Sequence, residues 1–303
     1  MRKQLDAYLY YNEVILGKSY NTIRSYRNDI TQLIEYLEEN EGIKDFSKVE
    51  IITLRSFIAY LSVEKNSSKR SINRKVSAVR SFFDYLVRNN VIEENKAIYV
   101  STPKFENKLP NFLLKDDIAK LRECIDTNNI LGLRDRTILE VLYSSGLRSM
   151  ELLELSESMI DIDKRELRVI GKGDKERITF FSNTAKKYLK EYIEAKKQKN
   201  IYDKDIVFCN SKGGRLTTRS LRRIIEFYAK KSGIDKEITP HVFRHTFATE
   251  LLNSGVDIRY VQELLGHSTI ATTQFYTHIS KNKLREMYLK TRPFSKGEEV
   301  DEW

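Results

Sequence analysis

The chain has 303 residues, 40% of them hydrophobic and 32% charged, with a formal net charge of +10. That length is enough for two domains, and the composition, poor in glycine and proline, fits a soluble globular protein. The positive excess points to an acidic partner, nucleic acid or an anionic surface, and no run approaches the roughly 18 apolar residues of a membrane helix, so a cytoplasmic protein is expected.

Residues 1 to 103 read as helices with short connections. One begins at Thr22, with Ile23, Tyr26, Ile30, Leu33, Ile34 and Leu37 at helical spacing and Gly42 just past its end. A second covers Ile51 to Leu61. A third starts at Ser67 or Ser68, either a suitable cap, and carries Ile72, Val76, Val79, Phe83 and Leu86 on its apolar side. Its polar face gathers Lys69, Arg70, Arg74, Lys75 and Arg80. Such a face suits a duplex, which presents one negative charge about every 1.7 Å. An isolated basic helix is more often simply solvated, and the phosphate reading is preferred only because later segments also implicate phosphate.

Residues 99 to 111, YVSTPKFENKLPN, hold Pro103 and Pro110 in a polar run without helical period. The expected division is a helical domain over 1–100, a linker over 101–112 and a second domain over 113–303, with Asp116 or Asp117 opening its first helix. Leu133 to Tyr143 is helical up to Ser144-Ser145-Gly146. Arg148 follows at the start of the next helix, where backbone N–H groups favour an anion, with Glu151 one turn on to brace its guanidinium. On this fragment alone an ordinary surface Arg–Glu pair is the better reading.

The period changes over 165 to 181, where two runs rich in Val, Ile, Thr and Phe flank a glycine-containing turn, a hairpin with Lys172 at its tip. A lysine there reaches far, although most such lysines only aid solubility. A charged helix over 184 to 199, a short strand from Ile206 to Cys209, a turn at SKGGR and a helix from Thr218 to about Lys231 follow. Cys124 and Cys209 are too far apart to share a metal, and both are expected to be buried, reduced thiols.

All four histidines fall between 241 and 278, together with Arg244 and Tyr276. Thr239-Pro240 is a helix start, which puts His241 and Arg244 three apart on one face, with Phe247, Leu251 and Leu252 on the buried side and Gly255 as the stop. Asp257 caps a short helix ended by Gly266. His267 comes next, before a third helix capped by Ser268 and carrying Tyr276. His245 points away from Arg244 and reads as structural, as does His278.

GLRSMEL, VIGKGDKER, HVFRHTFATELL and LLGHSTIATTQFYTH resemble, in order and spacing, the signature segments of the tyrosine recombinases, most nearly the Xer site-specific recombinases. The resemblance spans essentially the whole chain and implies a mainly α fold with a small β-sheet. It has a helical, SAM-like core DNA-binding domain, then an α+β catalytic domain. It further implies that Arg148 and Arg244 clamp a scissile phosphate, Tyr276 attacks it, His241 is the general base, His267 donates a hydrogen bond to phosphate and Lys172 is the general acid. Lys69, Arg70, Arg74 and Lys75 would grip the duplex. No P-loop and no carboxylate cluster for paired metals is present in the sequence, so neither cofactor nor metal is expected. The implied partners are double-stranded DNA with paired half-sites and a homo- or hetero-tetramer on two duplexes, with an activating protein as a further candidate. The implied role is Xer-like resolution of chromosome or plasmid dimers; the alternatives are a phage or mobile-element integrase, a type IB topoisomerase and a catalytically inert regulator.

Overall fold

The computed structural model describes residues 1–104, 111–171, 176–199, 205–266 and 281–291. The chain divides into two compact units, Met1–Lys108 and Leu109–Trp303, each with its own apolar core.

The first unit is helical: α1 (Arg2–Tyr10), α2 (Tyr20–Glu39), α3 (Ile51–Val63) and α4 (Lys69–Arg88). Helix α1 precedes the first helix expected from the sequence, the one at Thr22, and its Leu5, Tyr8 and Leu9 stand at helical spacing and are buried. Aromatic rings fill the centre, with Phe82 meeting Tyr8 and Phe46 edge-on at centroid distances of 5.1 Å, a favoured ring geometry. Ser68 caps α4, its hydroxyl accepting from the Ser71 N–H at 3.2 Å. The basic face of α4 divides by use. Arg80 is consumed internally, donating to the carbonyls of Ala97 and Val100 at 3.2 and 2.7 Å. Arg74 forks onto buried Asp29 of α2, and Lys75 reaches the same carboxylate at 3.4 Å. Lys69 and Arg70 stay exposed.

The second unit is organised around α6 (Ile130–Ser145), buried on almost every side and packed against α8 (Asn183–Lys197) and α10 (Pro240–Asn253). A helix buried all round can carry charge only if it is paired. Glu140, fully buried, accepts both guanidinium arms of Arg122 at 2.9 and 2.7 Å and Arg136 at 2.7 Å. Before it, α5 (Lys115–Glu123) begins with the Asp117 carboxylate accepting the Leu114 N–H at 2.8 Å. After it come α7 (Ser149–Leu153) and an antiparallel sheet in the order β1 (Ile160–Asp161), β2 (Glu166–Ile170), β3 (Glu176–Phe180). The hairpin over β2 and β3 is as expected; the two-residue β1 was not foreseen. The remaining α-helices among the described residues are α9 (Thr218–Lys231), α11 (Ile258–Leu265) and α12 (Lys281–Thr291).

Three expectations are corrected. Ile206 to Cys209 forms no strand; only a single bridge joins Cys209 to Arg215, because the chain turns back at once through Gly213 and Gly214. Leu252 is 42% exposed, being one residue, and so about 100°, round from buried Leu251. Cys124 is half-buried, and only Cys209 is fully so. Leu284 and Tyr288 of α12 are buried in the core of their own unit, where Tyr288 donates to the Ser144 carbonyl at 2.8 Å and its ring lies 5.5 Å from that of Phe180. Among the described residues no helix is long and apolar enough to cross a membrane.

Candidate active site

Two helix ends create the site. Gly146 terminates α6 in the left-handed conformation, with φ of 64°, and two residues later Arg148 is the N-cap of α7. Gly266 terminates α11 in the same way, with φ of 65°. A helix C-terminus leaves carbonyl oxygens without intrahelical partners and carries the negative end of the helix dipole, so it attracts cations. Here it attracts three. Arg177 Nε donates to the Leu264 carbonyl at 2.9 Å, Arg244 Nη2 to Leu265 at 2.6 Å and Arg148 Nη2 to Gly266 at 3.1 Å. Three arginines from three elements thus meet three consecutive carbonyls at the point where the chain enters His267.

One carboxylate sits among them. Glu151, on the first turn of α7 and buried, accepts Arg148 Nη1 at 2.7 Å, the Arg148 backbone N–H at 2.8 Å, and Arg177 Nη1 and Nη2 at 2.7 and 2.8 Å. The expected Arg148–Glu151 brace is present, and it is part of a larger network. Arg177 is the member the sequence reading missed: within ERITFF it looks like one more outward strand residue. Its closeness to Gly266 is a further sign, since a Cβ on that glycine would come within 2.8 Å of Arg177 Cδ.

Among the described residues, three guanidinium groups against one carboxylate leave a surplus of positive charge. Arg244 is 8% exposed and spends its two Nη atoms on the carbonyls of Gly146 and Leu265, each at 2.6 Å. Burial, then repulsion from Arg148 and Arg177, lower its pKa to about 10, with Glu151 opposing; it stays cationic at neutral pH. Arg148 is open, its side chain 37% exposed. An anion placed here would meet a charge that water solvates poorly, where charge-assisted hydrogen bonds are strongest.

Glu151 feels opposing influences. Burial pushes its carboxyl up, and the hydrogen bonds from Arg177 and from the Arg148 backbone outweigh it, holding the group at about 2. A depressed carboxylate contributes stability that is present above its unfolded value, about 4.3, and is lost as pH falls through the folded value. The advantage of wild type over Glu151→Gln in denaturant midpoint is therefore expected to be full at pH 6 and to shrink between about pH 5 and pH 2. At roughly 1.4 kcal/mol per pKa unit it amounts to on the order of 3 kcal/mol. A difference that is flat across this range would show that Glu151 is not held ionised by its arginines.

His241 lies exposed on the first turn of α10, three residues before Arg244. Thr239 is the N-cap, but its side chain makes no capping hydrogen bond; the helix start rests on Pro240. Asp257 does cap α11, accepting the Arg259 N–H at 2.9 Å. The structure thus brings Arg148, Glu151 and Arg244 together, with His241 on the same helix as Arg244. Lys172, His267, Tyr276 and His278 lie outside the described residues.

Comparison with known proteins gives the family. Residues 111–283 match the phage integrase family, and residues 5–90 match the phage integrase N-terminal SAM-like domain. A tyrosine recombinase XerD from Listeria innocua serovar 6a is 40% identical, over 97% of this chain and 99% of the relative. A tyrosine recombinase XerC from Anoxybacillus flavithermus is 38% identical, over 95% and 97%. Among solved structures, the XerH site-specific recombinase bound to difH substrate in a pre-cleavage complex is similar at a TM-score of 0.67 and 25% identity, over 94% of this chain and 83% of that one. With both domain matches in chain order and relatives aligned nearly end to end, the chain belongs to the phage integrase family, as a tyrosine recombinase of the Xer type.

Proposed function

We propose that this enzyme carries out site-specific DNA recombination by using Arg148 and Arg244 to bind the scissile phosphate and Tyr276 to attack it. The observation that carries this reading is the placing of both guanidinium groups on neighbouring carbonyls, Leu265 and Gly266, immediately before His267. In-line attack on a phosphodiester gathers charge on the non-bridging oxygens, and fixed arginines offset it without reorganising. Tyrosine, with a pKa of about 10, needs help to attack at neutral pH. His241 takes the phenol proton, the bond from phosphorus to the 5′ oxygen breaks, and Lys172 protonates that oxygen while His267 donates to the phosphate. The product is a 3′-phosphotyrosyl link, which preserves the ester bond, so attack by a 5′ hydroxyl from a second duplex rejoins DNA without a nucleotide.

The helical unit holds the duplex through exposed Lys69 and Arg70, with Arg74 and Lys75 fixed beside them by Asp29, and residues 101–112 connect it to the catalytic unit. The working assembly is a tetramer, of this chain or of this chain with a related recombinase, on two duplexes with paired half-sites, and its role is dimer resolution. The XerH relative was solved on its difH substrate, which supports a DNA partner here.

The test is a duplex bearing the recombination site with a nick near the cleavage point, so that the released fragment diffuses away and the covalent intermediate accumulates. Digestion and mass spectrometry of the adduct should place the DNA on the peptide containing Tyr276. Attachment at any other residue, or no adduct with any site or partner recombinase, overturns the assignment. Joining of two marked duplexes separates recombination from simple nicking and resealing.

A further inference from the structure

Arg177 has a different place in the network from its two neighbours. Its side chain is 8% exposed, and each of its three nitrogens is engaged: Nη1 and Nη2 take the two Glu151 oxygens and Nε takes the Leu264 carbonyl. A guanidinium used in this way has little left to offer a phosphate. Its charge is met by Glu151 at bidentate distance, whereas Arg244, among the described residues, gives its hydrogen bonds to carbonyls. Arg177 therefore connects other groups and does not itself bind the substrate.

It connects β3, the start of α7 and the last turn of α11. Arg177 is the second residue of β3, paired in register with Val169 and five residues after Lys172. Through Glu151 it holds the N-terminus of α7, because the same carboxylate accepts the backbone N–H and Nη1 of Arg148. Through Leu264 it holds the last turn of α11, one peptide before the carbonyl that takes Arg244 and two before the one that takes Arg148. The glycine stop at 266 leaves the space its side chain fills.

We propose that Arg177 is a positioning residue for DNA cleavage, holding β3, the Arg148 helix start and the last turn of α11 against one another so that Arg148 is correctly placed. This rests on the reading that Arg148 binds the scissile phosphate. Displacement of a reacting group by about 1 Å costs on the order of 100-fold in rate, and a lysine cannot reproduce three directed donors.

The experiment measures single-turnover adduct formation on the nicked duplex at saturating protein, together with duplex affinity and thermal unfolding. It uses wild type, Arg177→Gln, Arg177→Lys, Arg148→Lys and the double variant Arg177→Gln/Arg148→Lys. Arg177→Gln should slow adduct formation about 100-fold and Arg177→Lys about 10-fold, with affinity for the duplex changed less than about threefold. Because Arg177 acts through Arg148, adding Arg177→Gln to Arg148→Lys should cost no more than about fivefold further. If Arg177→Gln proves unfolded, Arg177→Lys carries the same comparison with stem and charge retained. Full additivity, affinity and cleavage falling in parallel, or an unchanged rate overturns the proposal while leaving the site assignment standing. Absence of adduct with wild type overturns both.

Discussion

Arg244→Gln is expected to lower the rate of covalent adduct formation by roughly 1,000-fold or more, while changing the melting temperature of the free protein by only a few degrees. A fixed arginine that neutralises transition-state charge on a phosphoryl group contributes on the order of 10³–10⁵ in rate. Arg244 is well suited to that task, because it is buried, cationic and, among the described residues, hydrogen-bonded to the carbonyls of Gly146 and Leu265 and to no carboxylate. The same features make it costly to the free enzyme. Burial and two neighbouring arginines already lower its pKa to about 10, so removing the charge relieves strain even as it leaves two carbonyls less well satisfied. Sites built to stabilise a charge that arrives only with substrate are commonly unstable without it. Stopped-flow or quench measurement of adduct formation, with calorimetry on the same preparation, reads both halves. A loss of several kcal/mol in stability would mark Arg244 as a structural tie, and a loss of only a fewfold in rate would remove it from the phosphate clamp. Arg244→Lys, which keeps the charge but can reach only one carbonyl at a time, should fall between the two.

The parts of this site that are legible in the sequence are those whose cause is local. Arg148 and Glu151 are three apart at a helix start, and helix geometry alone predicts their contact. Arg244 follows a proline-led helix start, and Gly146 and Gly266 are ordinary stop signals. The hairpin over β2 and β3 shows in the change from helical to alternating period. Arg177 has no such signal: its partners are 26 and 87 positions away in the chain, and nothing in a strand residue's immediate surroundings reports a carboxylate brought in by tertiary packing. The same reason explains α4, where Lys69, Arg70, Arg74, Lys75 and Arg80 look equivalent in the sequence. Only the packing of α2 and the segment at 97–100 shows that Arg74 and Lys75 share Asp29 and that Arg80 is spent on carbonyls. The 206–209 segment misleads in the opposite sense. Val207, Phe208 and Cys209 are buried because they fill the core beside α8, as the stacking of Phe208 on Tyr192 shows, without any ladder to make them a strand.

Gly146→Ala should be among the most damaging single substitutions in the catalytic unit, costing roughly 2–5 kcal/mol of stability and depressing cleavage further than that loss explains. Two independent terms add. A residue with a Cβ in the left-handed region costs about 1–2 kcal/mol, and φ here is 64°. The added methyl would also be driven into the Phe247 ring, whose Cε1 and Cγ would lie 2.9 Å from it; overpacking of a fixed core commonly costs about 1–3 kcal/mol. Phe247 cannot move aside freely, being fully buried and packed near Tyr288 at 6.4 Å between centroids. The consequence for catalysis follows from what the glycine holds. Its carbonyl receives Arg244 Nη1, and the backbone two residues on begins α7 with Arg148 as its cap. A shift of this turn therefore displaces both arginines of the proposed phosphate clamp together. Chemical denaturation of Gly146→Ala, Phe247→Leu and the double variant separates the two costs. The smaller side chain makes room for the methyl, so the double variant should recover about 1–3 kcal/mol relative to additivity, while the backbone cost remains. Strict additivity would mean that the ring is not the obstacle. A Gly146→Ala protein as stable and as fast as wild type would show that this turn does not need a left-handed residue and does not set the spacing of the two arginines.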